Sequence, residues 1–431
     1  MGENLIMKII VIGLGYVGLP IALAFSKKKY TIGFDIDNDK IEMYKKGIDI
    51  IGEYGNSVIK KSNINFTSDA KKIKSADFII VTVPTPIDDC NNPDLSCLIS
   101  ATKIIAKNMK QGAIVVYEST VYPGTTEEIC IPILEKESKL VLNKDFYVGY
   151  SPERINAGDK NHSFEKINKI VSGSNSDVCH QIKKIYSEVL LSDIIEVSSI
   201  KVAEASKIIE NAQRDINIAF MNEMSKIFHL MNIDTYEVLA AAKTKWNFLD
   251  FVPGLVGGHC IGVDPYYLAA KAKELNYIPE VILSGRKIND SMGKYVAEMV
   301  INSLNKNKIK IQNSKIMILG VTFKENVCDI RNSKVIDIVK ELSLRGCNVY
   351  INDYNTNSKE LYEMYGLKLD NDIRNVDVII VAVKHNKYKK LTIDELLEMY
   401  NNNKKKKIIF DLHAIYDKDE LERRGFEVWR M

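Results

Sequence analysis

The strongest constraint on the fold is a β-branched run, Lys8 to Ile12, that passes directly into Gly13-Leu14-Gly15-Tyr16-Val17-Gly18 and then into a helical stretch, Leu19 to Lys28. Each glycine of such a strand-turn-helix GxGxxG has a physical role. The first permits a tight turn, the second lets the backbone approach a pyrophosphate, and the third lets helix and strand pack closely. The helix N-terminus then presents N–H groups to phosphate. Tyr30 to Asp35 is a second apolar run that stops at an acid 22 residues after Gly13. A carboxylate there accepts hydrogen bonds from both hydroxyls of an adenosine ribose and repels a 2′-phosphate, which predicts NAD rather than NADP. Lys40 is the neighbouring charge that works against this preference.

The segment Ile9 to Phe25 is uncharged and mostly apolar, lies just after Lys8 and precedes Lys27-Lys28-Lys29, so it superficially resembles a signal or membrane anchor. It is shorter than the ~20 residues that a spanning helix needs. Gly13, Gly15, Gly18 and Pro20 suit a strand-turn-helix better, and a cytoplasmic protein without a membrane partner is expected. With 59 basic against 56 acidic residues, the net charge of +3 gives no electrostatic reason to expect a nucleic-acid partner. Seven cysteines, odd in number and without a CxxC pair, read as reduced thiols. The six histidines show no HExxH or paired Cys/His spacing, so no metal is expected.

A length of 431 residues favours two or three domains. Apolar runs at Phe78 to Val83, Ala113 to Glu118, Phe146 to Tyr150 and Lys169 to Ser172 alternate with helical patterns, as in a doubly wound parallel sheet. Residues 1–198 form this first domain. From Ile200 to about Met231, apolar residues recur at helical spacing without an internal Gly or Pro, predicting a helix ~45 Å long that connects two domains and supports an oligomer. A Gly- and Pro-rich segment, Phe248 to Tyr267, and a second helical region complete residues 199–304. After the linker Asn305 to Ser314, strands at Lys315 to Gly320, Asn348 to Asp353, Val376 to Val383 and Lys407 to Leu412 build a second α/β domain over 315–431. The Asn401 to Lys407 run reads as a solvated loop.

Cys260 stands apart from the other cysteines because Gly257, Gly258 and Gly262 flank it, allowing the backbone to expose a thiol and a bulky ligand to approach. Asp264 and Pro265 fix the turn that follows. On the long helix, Lys207, Asn211 and Arg214 share one face. That spacing fits a solvated stripe, or a lysine and an amide that balance an oxyanion or a thiolate.

These features join further motifs in order along nearly the whole chain: Val83-Pro84-Thr85-Pro86, Glu118-Ser119-Thr120-Val121, Ser151-Pro152-Glu153-Arg154, Gly257 to Asp264, and Phe323-Lys324-Glu325-Asn326 with Asp329-Ile330-Arg331. Together they resemble the UDP-glucose/GDP-mannose dehydrogenase family, the UDP-sugar 6-dehydrogenases. The resemblance implies two Rossmann-like α/β domains joined by a long central helix and a helical dimerisation region, with NAD as cofactor. It implies oxidation of a sugar C6 alcohol to a carboxylate in two steps, through a Cys260 thiohemiacetal and thioester. By the same resemblance, Lys207 and Asn211 stabilise oxyanions, Asp264 assists proton transfer with water, Glu153 is the base for hydrolysis, and Thr120 places the water. Pro84, Thr85, Thr120 and Arg331 join Gly13, Gly15, Tyr16, Val17, Gly18 and Asp35 in holding NAD. Glu153, Arg154, Lys207, Asn211, Phe248, Gly257 and Lys324 hold the substrate.

Tyr150 to Asn156, Lys245-Trp246-Asn247-Phe248 and Gly258-His259-Cys260 look most like the branch acting on UDP-N-acetylglucosamine or UDP-N-acetylgalactosamine, although Ala157 stands where that branch often has proline. UDP-glucose dehydrogenases usually lack the histidine before the cysteine. UDP-N-acetylglucosamine is the expected substrate, with the galactosamine, mannosamine and glucose forms as alternatives, and a homodimer or higher homo-oligomer is expected. A non-covalent hydroxyacid dehydrogenase would need no Cys260. A catalytically silent nucleotide sensor would need neither Cys260 nor the Lys207/Asn211 pair.

Overall fold

The computed structural model describes residues 7–155, 163–370, 374–400 and 407–431. Asn156, Ala157 and residues 401–406 of the lysine-rich run lie outside them. The chain divides into two compact units, Met1–Asn211 with Tyr266–Ile278, and Ala212–Pro265 with Pro279–Met431.

The first unit holds strands β1 (Lys8–Ile12), β2 (Tyr30–Phe34), β3 (Ile64–Thr67), β4 (Phe78–Val81), β5 (Ile114–Tyr117), β6 (Tyr147–Tyr150), β7 (Lys169–Gly173) and β8 (Ile194–Glu196). They form one sheet in the order β3-β2-β1-β4-β5-β6-β7-β8. The order reverses at β1, which lies between β2 and β4. Ile9 and Val11 enter one buried cluster and Ile10 and Ile12 the other, so both faces are covered, and this is why the strand is an unbroken apolar run. The helix Gly18–Ser26 is buried along its whole length.

Pairing is parallel from β3 through β6, but β7 runs antiparallel to β6, a departure from the all-parallel pattern read in the sequence. The described part of the connection between them contains only the single-turn 3-10 helix Phe164–Lys166. A parallel return needs a longer crossover, usually a helix.

The second unit holds β9 (Lys315–Leu319), β10 (Asn348–Asn352), β11 (Val378–Val381), β12 (Lys407–Asp411) and β13 (Phe426–Trp429), in the order β10-β9-β11-β12-β13. Every pair is parallel. Ile316 and Ile318 pack on one face, Met317 and Leu319 on the other. The helix Glu280–Lys306 adds Met292, Val296, Val300 and Leu304, each four residues after the last, to the first of these cores.

The long helix spans Ile200–Leu230, 31 residues and about 46 Å, close to the length read from its periodicity. In the second unit, buried Asp215 and Asn222 tie it to the helix Glu280–Lys306. Arg286 Nη1 donates to Asp215 Oδ1 at 2.6 Å, and Asn222 Nδ2 donates to Asn289 Oδ1 at 2.8 Å. No helix among the described residues is long and apolar enough to cross a membrane.

Candidate active site

In the first unit, the residues read as functional gather at the carboxyl ends of the strands, beside the reversal of strand order, where open α/β sheets bind ligands. Gly13 follows β1 with a φ of +92°, the left-handed region that favours glycine, and its N–H donates to Phe34 O at 2.9 Å. A Cβ on Gly18 would lie 1.8 Å from Gly13 O, so helix and turn touch at backbone distance. A Cβ on Gly15 would meet nothing within 4 Å. This open space at a helix N-terminus fits a pyrophosphate, with the half-buried Tyr16 and Val17 beside it.

Asp35 is nearly buried at the end of β2. Its Oδ2 accepts from Leu14 N at 2.9 Å and pairs with Lys40 Nζ at 3.0 Å. The lysine that worked against an NAD preference is therefore neutralised by this same carboxylate.

The turns after β4 and β5 are joined. Thr85 Oγ1 donates to Thr120 O and Ser119 Oγ donates to Val83 O, both at 2.7 Å, while Pro84 is exposed. Behind them, the fully buried Glu118 pairs with Lys169 Nζ at 2.6 Å and accepts from the Tyr186 hydroxyl. Burial pushes its carboxyl up, against the pull of Lys169.

After β6, Glu153 meets the long helix. Lys207 Nζ lies 3.6 Å from Glu153 Oε2, and the two side chains are only 6% and 9% exposed. Glu153 Oε1 is buried without a hydrogen-bond partner in the described structure. An orphaned carboxylate oxygen beside a buried ammonium is costly to keep in a closed protein, and a bound hydroxyl or water would satisfy it. Asn211, one turn beyond Lys207, is half-buried. Arg214 is exposed and takes the solvated reading of its stripe. Arg154 pairs with Glu210 and donates from Nη1 to Asn168 O at 3.0 Å.

In the second unit, Gly257 and Gly258 press the cysteine loop against the segment Phe323 to Lys334. A Cβ on Gly257 would lie 2.6 Å from Asn332 O, and one on Gly258, whose φ is +80°, 2.7 Å from the Phe323 ring. Asn332 Nδ2 donates to Gly258 O at 3.3 Å. Cys260 is half-buried, and its carbonyl accepts from Asp264 N at 2.9 Å as the buried Asp264 opens the helix Asp264–Glu274. His259 Nδ1 lies 3.2 Å from Cys260 Sγ, and His259 Nε2 lies 3.4 Å from Asp329 Oδ2. Arg331 holds that carboxylate from Nε at 2.9 Å and from Nη2 at 2.5 Å. Lys324 and Phe248 are half-buried.

Three stretches of the chain match successive domains of one family. Residues 7–190 match the UDP-glucose/GDP-mannose dehydrogenase family, NAD binding domain, residues 201–291 its central domain, and residues 317–418 its UDP binding domain. This chain belongs to the UDP-glucose/GDP-mannose dehydrogenase family.

Like the family, it is an oxidoreductase, an NAD-dependent UDP-sugar 6-dehydrogenase. It is 51% identical over 98% of its length to Protein CapL of Staphylococcus aureus, covering 99% of that protein. It is 46% identical over 97% of its length to a UDP-N-acetyl-D-glucosamine 6-dehydrogenase of Salmonella typhi, covering 98% of it. A solved UDP-D-ManNAc dehydrogenase from Pyrococcus horikoshii superposes with a TM-score of 0.88 at 28% identity, covering 98% of this chain and 99% of that one.

Two groups in this dehydrogenase receive no role of their own from its sequence. His259 and Asp329 meet only through folding, although each stands beside a residue that was singled out, Cys260 and Arg331. The Asp215–Arg286–Asn289 cluster had a visible signal, since Asp215 falls at core-facing spacing between Ile208, Ala212 and Ala219.

Proposed function

We propose that this chain is a UDP-N-acetylglucosamine 6-dehydrogenase that takes the sugar C6 alcohol to a carboxylate through two oxidations and a hydrolysis. The observation that carries the reading is full-length likeness to an enzyme of that activity, joined to a cysteine presented by a Gly-Gly turn. Gly13, Gly15, Tyr16, Val17, Gly18, Asp35, Pro84, Thr85 and Thr120 hold NAD, and Arg331 reaches its pyrophosphate. NAD supplies the hydride acceptor for both oxidations, so two NADH form per sugar.

An aldehyde has no hydride to surrender on the way to an acid until a nucleophile adds to it. Cys260 adds through Sγ and gives a thiohemiacetal, whose oxidation leaves a thioester. Lys207 and Asn211 donate to the oxygen that carries negative charge at each stage, a stabilisation that grows where water is excluded. Glu153, with its free carboxylate oxygen, takes a proton from the hydrolytic water, Thr120 positions that water, and Asp264 assists the transfer. Arg154, Phe248, Gly257 and Lys324 hold the substrate. The chain acts as a homodimer or higher homo-oligomer, supported by exposed Val202, Ile209, Phe220 and Ile227 at seven- and eleven-residue spacing along one stripe of the long helix.

The test is a panel of UDP-N-acetylglucosamine and its galactosamine, mannosamine and glucose counterparts with NAD, following NADH and product mass. The glucosamine substrate is expected to give the acid at the highest kcat/KM. A tenfold preference for another sugar would move the assignment to that sugar, and binding without turnover would favour the silent nucleotide sensor.

A further inference from the structure

The geometry points to His259 as the acid–base partner of the Cys260 sulfur, oriented by Asp329, which Arg331 in turn clamps. This role rests on Cys260 being the nucleophile, as proposed above. The His259 ring bridges its two partners, with Nδ1 at 3.2 Å from Sγ and Nε2 at 3.4 Å from Asp329 Oδ2. An ionised carboxylate only accepts, so Nε2 keeps its proton toward Asp329 and Nδ1 is the nitrogen that takes the Sγ proton. Arg331 N also donates to Asp329 Oδ1, at 2.9 Å, so backbone and guanidinium fix the carboxylate together.

The sulfur's proton thus rests on Nδ1 before the sugar reacts, and in the addition step the thiolate pair of Sγ forms the C–S bond to the aldehyde carbon. The carbonyl π pair moves to its oxygen as an alkoxide. In the hydrolysis step, water adds to the thioester, the C–S bond breaks, and its electron pair returns to the sulfur facing the imidazolium. No oxidant is needed beyond the NAD of the established activity.

The charged groups around the ring favour this arrangement. Asp329 first, and then Cys260, raise the imidazole to about 9, against burial and the charge of Arg331. Burial would lift the Asp329 carboxyl, but His259 and Arg331 outweigh it and hold it well below the usual range. The Phe323 ring lies 6.0 Å away and adds no charge. A group raised in this way keeps its proton, and its pairing, until the pH climbs through about 9.

The test uses the full chain without sugar. Iodoacetamide labelling of Cys260 is followed by peptide mass from pH 6 to 10, in the wild type, His259→Asn and His259→Gln, with buried Cys130 and Cys347 reporting on folding. An ordinary thiol gains about twentyfold in rate between pH 7 and 9. Cys260 is expected to gain less than threefold in the wild type. In the folded variants it is expected to label about tenfold more slowly at pH 7, with the rates converging above about pH 9. A steep, ordinary profile for wild-type Cys260 would overturn the proposal even if both variants unfolded, and so would unchanged labelling in a folded variant. Because labelling needs no substrate, failure of the UDP-sugar reading appears separately, as absence of turnover by the wild type.

Discussion

The turns after β1 and β9 begin alike and end differently. Gly13 and Gly320 both have a φ of +92°. Each donates its N–H to the end of the neighbouring strand, Gly13 to Phe34 O at 2.9 Å and Gly320 to Asn352 O at 2.8 Å. Each is followed by an amide that an aspartate accepts, Leu14 N to Asp35 at 2.9 Å and Val321 N to Asp353 at 2.7 Å. In the first turn a helix starts at Gly18, and the space beyond Gly15 is open. In the second, the next helix waits until Val335, and side chains fill the turn. Asp353 also faces the buried His385 at 3.2 Å, which in turn contacts Thr322 Oγ1 at 3.1 Å. One strand-turn-acid design thus serves two ends. Left open before a helix it suits a dinucleotide, and braced with side chains it launches the long loop that carries Lys324, Asp329 and Arg331.

Four substitutions test that contrast. The largest effect belongs to Gly18→Ala, because a Cβ 1.8 Å from a carbonyl oxygen has no flexible neighbour to displace. A loss of about 3 kcal/mol in stability is expected, with NAD binding abolished, read by denaturant unfolding and calorimetry. Gly15→Ala should leave stability within about 1 kcal/mol, since the new methyl meets no protein atom, yet weaken NAD roughly thirtyfold by occupying the pyrophosphate's space. Equal NAD affinity in that variant would remove the cradle from the first turn.

Asp35→Ala should weaken NAD about tenfold and leave UDP-sugar affinity unchanged in titration calorimetry. The smallest effect is expected from the other acid, through stability alone. Burial raises the Asp353 carboxyl, but the His385 hydrogen bond and charge and the Val321 and Asn355 amides outweigh it, so it is lowered on balance. Its contribution is therefore present above the unfolded pKa, about 4, and is lost as pH falls. Asp353→Asn should cost about 1 kcal/mol at pH 7, with its melting temperature approaching that of the wild type in acid and its NAD affinity unaltered.

Local signals made much of the molecule legible. The span Ile200–Leu230 follows from apolar spacing, and β1, β4, β5 and β11 follow from β-branched runs that are buried on both faces. The edge strands β3, β8 and β13 escaped because Asn65, Glu196 and Glu427 leave no unbroken apolar run in so short a span. The direction of β7 escaped because parallel and antiparallel runs can look alike as sequence, and the connection decides between them. At the site, Lys207 and Glu153 were assigned separate roles, and their pairing is a tertiary fact. The His259–Asp329 contact is of the same kind, joining two loops through Gly257 and Gly258, whose sequence reading is freedom for the thiol and room for a ligand. Arg331 was read toward a cofactor phosphate, and its Nε and Nη2 hold Asp329.

The proposed reaction turns on a sulfur that carries the sugar between its two oxidations, and NADH counted against sugar consumed is the sharpest test of that sulfur. With limiting UDP-N-acetylglucosamine and excess NAD, the wild type should release two NADH for each carboxylate formed, and Cys260→Ala no more than one, with no acid. Two NADH and full conversion to the acid without that sulfur would contradict it, as would a wild type that stops at one.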